Sequence, residues 1–234
     1  MNGIRRGGKA TTETSQVNAI EPKEALTRQR ILTCALAMID SDGLEDLSMR
    51  KLATELDVAP MSLYNHVPNK DALLEGVAET MLGLVDLAAL DIEDWSEALK
   101  AGIKGFRSVL LAHPNAVPLI ETKHVVSPEY FRPVEASLEI LRRAGFDPQE
   151  AMHAHWLVVS LTFGHVMAQI TNPICNPNPA NAVAMREANL PADEFPNLMG
   201  TLPYIIDYDF DTSFDYSLET VIEGLKTKLR RRPV

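Results

Sequence analysis

The sequence predicts an all-α protein with a small N-terminal head and a larger helical body. Three observations support this fold class. Apolar residues recur at helical spacing through most of the 234-residue chain, and no stretch alternates apolar and polar side chains as a strand would. Residues 47–77 contain two short helical segments on either side of a tight turn. The chain is 46% hydrophobic, which is enough to bury one sizeable core or two smaller ones.

The N-terminal segment, residues 1–22, is rich in Gly, Thr, Ser and Asn and has few large apolar side chains, so we predict a disordered tail. Its basic residues would let it reach a DNA minor groove, although a simple solvated tail is the commoner outcome. No apolar segment follows the early charges as in a signal peptide, and no run of about 18 apolar residues predicts a membrane span. With only two cysteines in the sequence, we expect a cytoplasmic protein.

The head is predicted to span residues 23–90. Its first helix runs from about Thr27 to Asp42 and ends at Gly43, because glycine suits a helix terminus. Its last helix is predicted to begin after Asn69 and to run to about residue 90, where it joins the head to the body.

Between these two helices lies the pair of short helical segments. Ser48 caps the first of them, a tight turn follows at residues 57–59, and the second runs from Pro60 to about His66. Two short helices joined by a three-residue turn form a helix-turn-helix unit, whose second helix can enter the DNA major groove.

The body is predicted to span residues 91–234. Its first helix begins at the capping residue Asp94 and ends at His113, which precedes a proline. Ser127 starts the next helix, which stops at Gly145, and Pro133 predicts either a late start or a kink there.

Two helices complete the body, one over residues 148–171 and a last one over residues 214–231. The first is apolar around most of its circumference and must be covered on both sides. We therefore predict a homodimer in which these two helices pair with their copies as a four-helix interface. The intervening residues 172–211 are rich in Pro, Asn and Ala, and predict a short helix near residues 180–189 together with a mobile or functional loop.

The formal net charge of −10 is unusual for a DNA-binding protein. Residues 1–30 carry six Lys/Arg against three Glu, whereas residues 81–234 carry 13 basic and 20 acidic residues. We expect the acidic residues to lie mostly away from the DNA end. Phosphate binding depends on local positive charge, so the net charge does not exclude it.

Three motifs within residues 47–77, Ser-Met-Arg-Lys-Leu-Ala, Leu-Tyr-Asn-His-Val and Asn-Lys-Asp-Ala-Leu-Leu, resemble the DNA-binding signature of the tetracycline-repressor (TetR) family. The body is similar to the C-terminal domain of the tetracycline-repressor branch. This similarity lies in the Trp95 helix, in Ala-Gly-Phe-Asp-Pro-Gln-Glu-Ala at residues 144–151, and in the closing Phe-Asp-Tyr-Ser-Leu-Glu-Thr-Val-Ile-Glu-Gly-Leu. The resemblance covers most of the chain outside the tail and residues 172–211.

The resemblance implies which residues bind DNA. Arg50 would reach a base edge, where guanine is the usual partner of a guanidinium. Pro60, Met61 and Ser62 would begin the recognition helix. The other residues assigned to the DNA-binding surface, mainly as phosphate contacts, are Thr27, Ser48, Met49, Tyr64, Asn65, His66 and Lys70. For His66, packing is the alternative to a DNA contact.

One position departs from the family pattern, since Asp57 stands in the turn where the family usually has glycine. Aspartate is among the few residues that tolerate the left-handed backbone conformation. We therefore expect the turn to form with Asp57 at some cost.

The resemblance also implies a ligand cavity in the body that controls the separation of the two heads. The residues predicted to line it are Phe106, His113, Phe131, His155, Trp156 and Phe163, and plain core packing is the alternative for each. Tetracycline itself is not the expected effector. Ile120 and Asp86 stand where the tetracycline repressors have ligand-binding histidines. We predict neither a metal site nor a cofactor, because the histidines show no regular metal-binding spacing.

Together these features predict a ligand-responsive transcriptional regulator, most often a repressor in this family, which a small molecule releases from a pseudo-palindromic operator on double-stranded DNA. One alternative is an enzyme, although the sequence contains no Gly-rich phosphate loop, Gly-x-Ser-x-Gly, His-Glu-x-x-His or Cys-x-x-Cys motif. The other is an adaptor whose head no longer binds DNA, against which the intact Arg50, Tyr64 and Lys70 argue.

Overall fold

The computed structural model describes residues 25–122, 127–171, 191–206 and 208–230, and these residues form ten α-helices and two 3-10 helices but no strand. The all-α prediction is confirmed. The predicted tail, residues 1–22, and the predicted short helix near residues 180–189 lie outside the described residues.

Four α-helices form the head. They are α1 (Arg28–Asp42), α2 (Met49–Glu55), α3 (Pro60–Tyr64) and α4 (Lys70–Leu82). Side chains cap three of them, since Thr27, Ser48 and Asn69 accept hydrogen bonds from backbone N–H groups three residues later, at 3.2, 3.2 and 2.8 Å. The predicted helix starts in the head are therefore confirmed.

The helix that leaves the head is shorter than predicted. It ends at Leu82 instead of about Leu90, and a 3-10 helix over Ala88–Asp91 follows after a turn. Gly83 is a poor helix former, and the Asp86 side chain accepts a hydrogen bond from the backbone N–H of Ala88 at 2.9 Å. Such local bonds offer the backbone an alternative to the helix, which is why the apolar periodicity misleads here.

The body contains six α-helices and the second 3-10 helix. In chain order they are α5 (Trp95–Ala112), the 3-10 helix (Pro114–Ala116), α6 (Val117–Thr122), α7 (Pro128–Arg143), α8 (Pro148–Thr171), α9 (Pro196–Ile206) and α10 (Phe210–Arg230). Helices α6 and α9 were not predicted. Helix α7 begins at Pro128 and runs through Pro133, so the late start is wrong.

Helix α10 begins four residues before the predicted start at Phe214. The reason is the side chain of Asp209, which accepts hydrogen bonds from the backbone N–H groups of Asp211 at 2.9 Å and Thr212 at 3.3 Å. An aspartate in this position satisfies the free N–H groups of a first helical turn and so extends the helix towards the N-terminus.

The head shares its apolar core with the body. Its buried residues on α1 to α4 continue without a break into Phe106 and Leu110 of α5, Leu119 of α6 and Val166 of α8. A second buried cluster lies within the body between α5, α7, α8 and α10 and includes Leu141 and Phe214. Helices α5 and α6 therefore pack directly against the head.

Helices α5 and α10 carry complementary rows of charge. Three cations of α5 pair with three carboxylates of α10 in antiparallel order: Lys100 with Glu219, Lys104 with Asp215 at 2.8 Å, and Arg107 with Asp211 at 2.7 Å. Arg107 also lies over the ring of Phe214, 4.7 Å from its centroid. Partly exposed pairs stabilise a fold only slightly, but this order fixes the register of α10 on α5.

Gly76 of α4 allows the closest approach of α4 to α1. A Cβ atom at this position would lie 2.5 Å from Cδ2 of Leu32, a residue that is 1% exposed. We expect Gly76→Ala to lower the free energy of unfolding by about 1–3 kcal/mol, because it overpacks this contact.

Urea denaturation at one fixed protein concentration measures this loss. Gly105→Ala is the matched control, since a Cβ there would meet nothing within 4 Å and alanine is the better helix former. Equal unfolding midpoints for the two variants would show that the Gly76 contact does not limit the packing of α1 on α4.

Candidate nucleic-acid interface and ligand cavity

The turn between α2 and α3 has the predicted geometry. Asp57 adopts a φ of 52°, in the left-handed region. The backbone N–H of Val58 donates to the carbonyl of Ala53 at 3.0 Å, which closes the turn. Leu63 of α3 and Val67 beyond it are 0% and 1% exposed, so one side of α3 is fixed against the head core.

The opposite side of α3 faces solvent. Met61 is 73% exposed and Tyr64 is 42% exposed, and Pro60, Asn65 and His66 are exposed as well. Ser62 is half-buried. The exposure of His66 argues against packing, the alternative that the sequence left open. The short helix thus offers one continuous outward face, which is the geometry that a major-groove recognition helix needs.

Cations flank this face without carboxylate partners. Arg50 and Lys70 are exposed, and neither forms an ion pair within the part of the chain that the structure describes. The sequence from Val58 to Lys70 contains no Asp or Glu. A surface of this composition can approach phosphates without repulsion between like charges.

The expectation that acidic residues lie mostly away from the DNA end needs correction. Residues 31–80 carry three Lys/Arg against nine Asp/Glu, so the head is itself acidic. Several of its carboxylates are engaged elsewhere: Asp46 pairs with Lys51, Glu79 with Arg28, and Asp40 contacts the body. The face around α3 keeps its positive charge because no Asp or Glu lies between Val58 and Lys70.

Two of the predicted phosphate contacts also cap helices. Thr27 and Ser48 use their hydroxyl oxygens as acceptors for α1 and α2, which leaves each O–H free to donate. Met49 is half-buried and packs against the head core instead of standing on the exposed face.

A cavity of about 980 Å³ lies in the body, bounded by the end of α4, the link that follows it, α5, α7 and α8. Five of the six predicted effector residues line it: Phe106, Phe131, His155, Trp156 and Phe163. The rings of Phe106 and Phe163 meet edge to face with centroids 5.5 Å apart. The apolar stripes therefore do converge on a space large enough for a small molecule.

His113 is the exception, and its assignment to the cavity needs correction. It follows the last turn of α5 and points towards α1, where its Nδ1 lies 2.8 Å from Oδ2 of Asp40. Beside it, the Asn115 amide donates to the backbone carbonyls of Ile39 at 3.1 Å and Asp40 at 3.2 Å. These residues join the body to the end of α1 and do not line the cavity.

The cavity holds one buried polar pair that the sequence did not reveal. Nδ1 of His155 lies 2.8 Å from Oγ of Ser137, and His155 is 5% exposed. Burial lowers the pKa of His155 from its ordinary value, so the imidazole is neutral at neutral pH. Ser137 lies on the apolar side of α7. A single polar residue within an apolar side is the sequence signal that could have indicated a polar contact in the cavity.

Ile120 and Asp86 both line the cavity, so neither of these two positions offers an imidazole to a ligand. Among the described residues, no three His, Cys, Asp or Glu side chains lie close enough to hold a metal ion. No helix in the described ranges is long and apolar enough to cross a membrane.

Fold and site together define a class of protein: a helix-turn-helix DNA-binding protein whose head shares a core with the wall of a ligand-sized cavity. Sequence comparison identifies the family. Residues 31–77 match the family described as "Bacterial regulatory proteins, tetR family", and residues 88–229 match the "Tetracyclin repressor-like, C-terminal domain". The chain belongs to the TetR family. It is a ligand-responsive transcriptional regulator and not an enzyme.

Individual relatives agree with this assignment. The chain is 36% identical to the class E tetracycline repressor protein of Escherichia coli over 155 residues, which is 64% of this chain and 72% of that protein. It is 28% identical to an HTH-type transcriptional regulator of Saccharopolyspora erythraea over 87% of this chain and 86% of that protein. The crystal structure of ActR from Streptomyces coelicolor in complex with actinorhodin superposes with a TM-score of 0.76 at 30% identity, covering 87% of this chain and 96% of that one.

The neutral His155 makes stability depend on pH. Its pKa in the folded protein lies below the ordinary 6.5, so between these two values the unfolded chain binds a proton that the folded protein excludes. As the pH falls from 7 through this window, the free energy of unfolding therefore decreases. The contribution of His155 is at most about 1.4 kcal/mol per pH unit.

Chemical denaturation between about pH 7 and pH 5 tests this expectation, with the ordinary histidine pKa inside the range. His155→Gln should flatten the pH dependence, because glutamine does not titrate in this range. Parallel curves for the wild type and His155→Gln would mean that His155 titrates normally in the folded protein.

Proposed function

We propose that the chain acts in the cytoplasm as a homodimeric repressor, with the division between head and body near residue 90. Two copies of α3 bind a pseudo-palindromic operator, and a small molecule in the body cavity releases the DNA. The observation that carries this proposal is the sharing of residues between cavity and head core. Leu82 and Phe106 line the cavity and also belong to the apolar core of the head.

We assign recognition of the DNA bases to Arg50 and to the first three residues of α3, which are Pro60, Met61 and Ser62. The exposed guanidinium of Arg50 lacks an ion-pair partner in the described part of the chain, so it is available for a guanine edge. The remaining contacts fix position on the phosphates without reading sequence, and are assigned to Thr27, Ser48, Tyr64, Asn65, His66 and Lys70. Met49 is left out because it packs against the head core.

Release follows from differential binding. Two recognition helices on a dimer must stand about 34–36 Å apart to occupy successive major grooves. A ligand that prefers a cavity shape incompatible with this spacing lowers the affinity for DNA by the ratio of its affinities for the two shapes. Since Leu82 ends α4, a shift of this wall reaches the helix that supports the recognition unit.

The effector is proposed to be a small organic molecule held in the cavity. ActR has been crystallised with actinorhodin, and a TetR from Acinetobacter baumannii with minocycline. In this chain Ile120 and Asp86 replace the histidines that the resemblance associates with tetracycline, so a different molecule is proposed here.

The dimer is proposed to form through α8 and α10. Leu157 of α8 is 48% exposed and Tyr216 of α10 is 75% exposed, while Gly164 and Gly224 leave the same two helices open to close approach. Exposed apolar side chains beside small residues on two long helices are typical of a four-helix contact between copies.

Arg50→Ala tests DNA reading. We expect it to weaken binding to the operator by about 1–3 kcal/mol and to relax selectivity at one base pair in each half-site. Gel-shift titration and footprinting on the DNA next to the chain's own gene, with single base-pair substitutions as competitors, measure both effects.

Lys51→Ala is the matched control for Arg50→Ala. Lys51 is the neighbouring exposed cation of α2, but its Nζ lies 3.0 Å from Asp46 and is already neutralised. Its replacement should change the affinity far less. If the wild type shows no salt-sensitive, sequence-selective binding to this DNA, the proposed function is wrong.

Leu157→Asp tests the dimer. A carboxylate buried in a four-helix interface has no partner, so we expect monomers and loss of operator binding, since both half-sites must be occupied. Sedimentation velocity gives the oligomeric state, and circular dichroism confirms that the variant is folded.

The control for Leu157→Asp is Leu84→Asp, at a residue that is similarly exposed, 51%, but lies between α4 and α5. It should remain dimeric. A folded Leu157→Asp variant that sediments as the wild type does would place the interface elsewhere.

A further inference from the structure

We propose that the effector is an uncharged aromatic molecule of several fused rings, carrying a ring hydroxyl that bonds to Nε2 of His155. Compounds with a carboxylate bind the cavity more weakly than their uncharged counterparts. This inference rests on the proposed function, because it specifies the ligand of the same cavity.

The first argument is the charge of the lining. No Lys or Arg stands among the described residues that line the cavity, and the single carboxylate there, Asp86, is exposed. An anion that enters an apolar space loses its hydration, and no cation among the described lining residues offsets the loss. Asp86 adds repulsion between like charges. The lining therefore selects against anionic ligands.

The second argument is the unused nitrogen of His155. Its Nδ1 bonds to Ser137, whereas its Nε2 has no partner in the described part of the chain. Nε2 is also not sealed into the packing. The buried side-chain atoms that lack a partner among the described residues are Oδ1 of Asp40 and Nε of Arg107, and Nε2 of His155 is not one of them. His155 lines the cavity, so this nitrogen is open to a ligand.

The chemistry of a neutral imidazole then defines the ligand group. If Ser137 donates to Nδ1, Nε2 carries the proton and donates; if Nδ1 donates to Ser137, Nε2 accepts. A phenolic hydroxyl both donates and accepts, so it satisfies either tautomer. One polar anchor in an apolar wall fixes the orientation of such a ligand without adding charge.

The third argument is the size and shape of the space. A volume of about 980 Å³ is near the upper end for small-molecule sites, which calls for several rings instead of one. The walls are aromatic: Phe106 and Phe163 meet at an interplanar angle of 71°, and the ring of Trp156 lies 5.7 Å from that of His155. Planar rings pack well against such edge-to-face pairs.

Three compounds that differ at one position test the proposal: phenanthrene, 9-phenanthrol and phenanthrene-9-carboxylate. Equilibrium dialysis against the full-length protein, read through the fluorescence of the compounds, gives each affinity. We expect 9-phenanthrol to bind about tenfold more tightly than phenanthrene, the worth of one good hydrogen bond, and the carboxylate to bind at least about tenfold more weakly.

Variants assign the effect to His155. In His155→Phe the hydroxyl preference should vanish, so that 9-phenanthrol and phenanthrene bind equally. His153→Phe changes an exposed histidine of the same helix that does not line the cavity and should keep the tenfold preference. Ser137→Ala should reduce the preference, because it frees the ring of His155 to turn.

Several results would overturn the inference: equal binding of the three compounds, a hydroxyl preference that survives His155→Phe, or no binding of any compound. Gel shifts on the operator with the same protein preparation separate this from the proposed function. Sequence-selective DNA binding without a hydroxyl preference would remove the inference alone, whereas absence of DNA binding would remove the proposed function.

Discussion

The apolar core that passes from the head into the body is the constraint on which the rest of the structure depends. The helix-turn-helix unit is too small to hold α3 in place alone, since α2 and α3 have seven and five residues. Short helices of this length gain their stability from tertiary packing. That packing comes from α1 and α4, which are themselves packed against α5 and α6. The cavity wall and the head core therefore have residues in common, so both depend on the same packing.

Local chemistry made much of this structure predictable from the sequence. The capping residues Thr27, Ser48 and Asn69 and the turn at Asp57 act within a few residues, so they can be recognised directly. The features of the site that escaped prediction depend on distant partners. His113 lies on the apolar side of α5 by periodicity, but Asp40, 73 residues earlier, holds it at the head. Ser137 and His155 meet across two helices, so no spacing rule relates them.

The distribution of charge explains how a chain with a formal charge of −10 serves as a DNA-binding protein. Carboxylates of α10 pair with cations of α5, and in the head Glu79 pairs with Arg28 and Asp46 with Lys51. The surface around α3 needs only a few unpaired cations, because the attraction of phosphates is local at ordinary salt concentrations. The acidic remainder lowers the affinity for arbitrary DNA and leaves discrimination to the contacts that read bases.

The contacts between Asn115 and the last carbonyls of α1 also bear on modularity. The body here supplies the C-terminal cap of a helix that belongs to the head, and His113 adds a bond to Asp40 at the same end. A head transplanted onto another body loses these bonds and keeps only the cap at Gly43, whose backbone N–H donates to the carbonyl of Ile39. In a chimeric regulator built from such parts, the segment after α5 must therefore come from the same protein as the head. The junction between the two proteins then lies beyond Ala116 instead of in the link after α4.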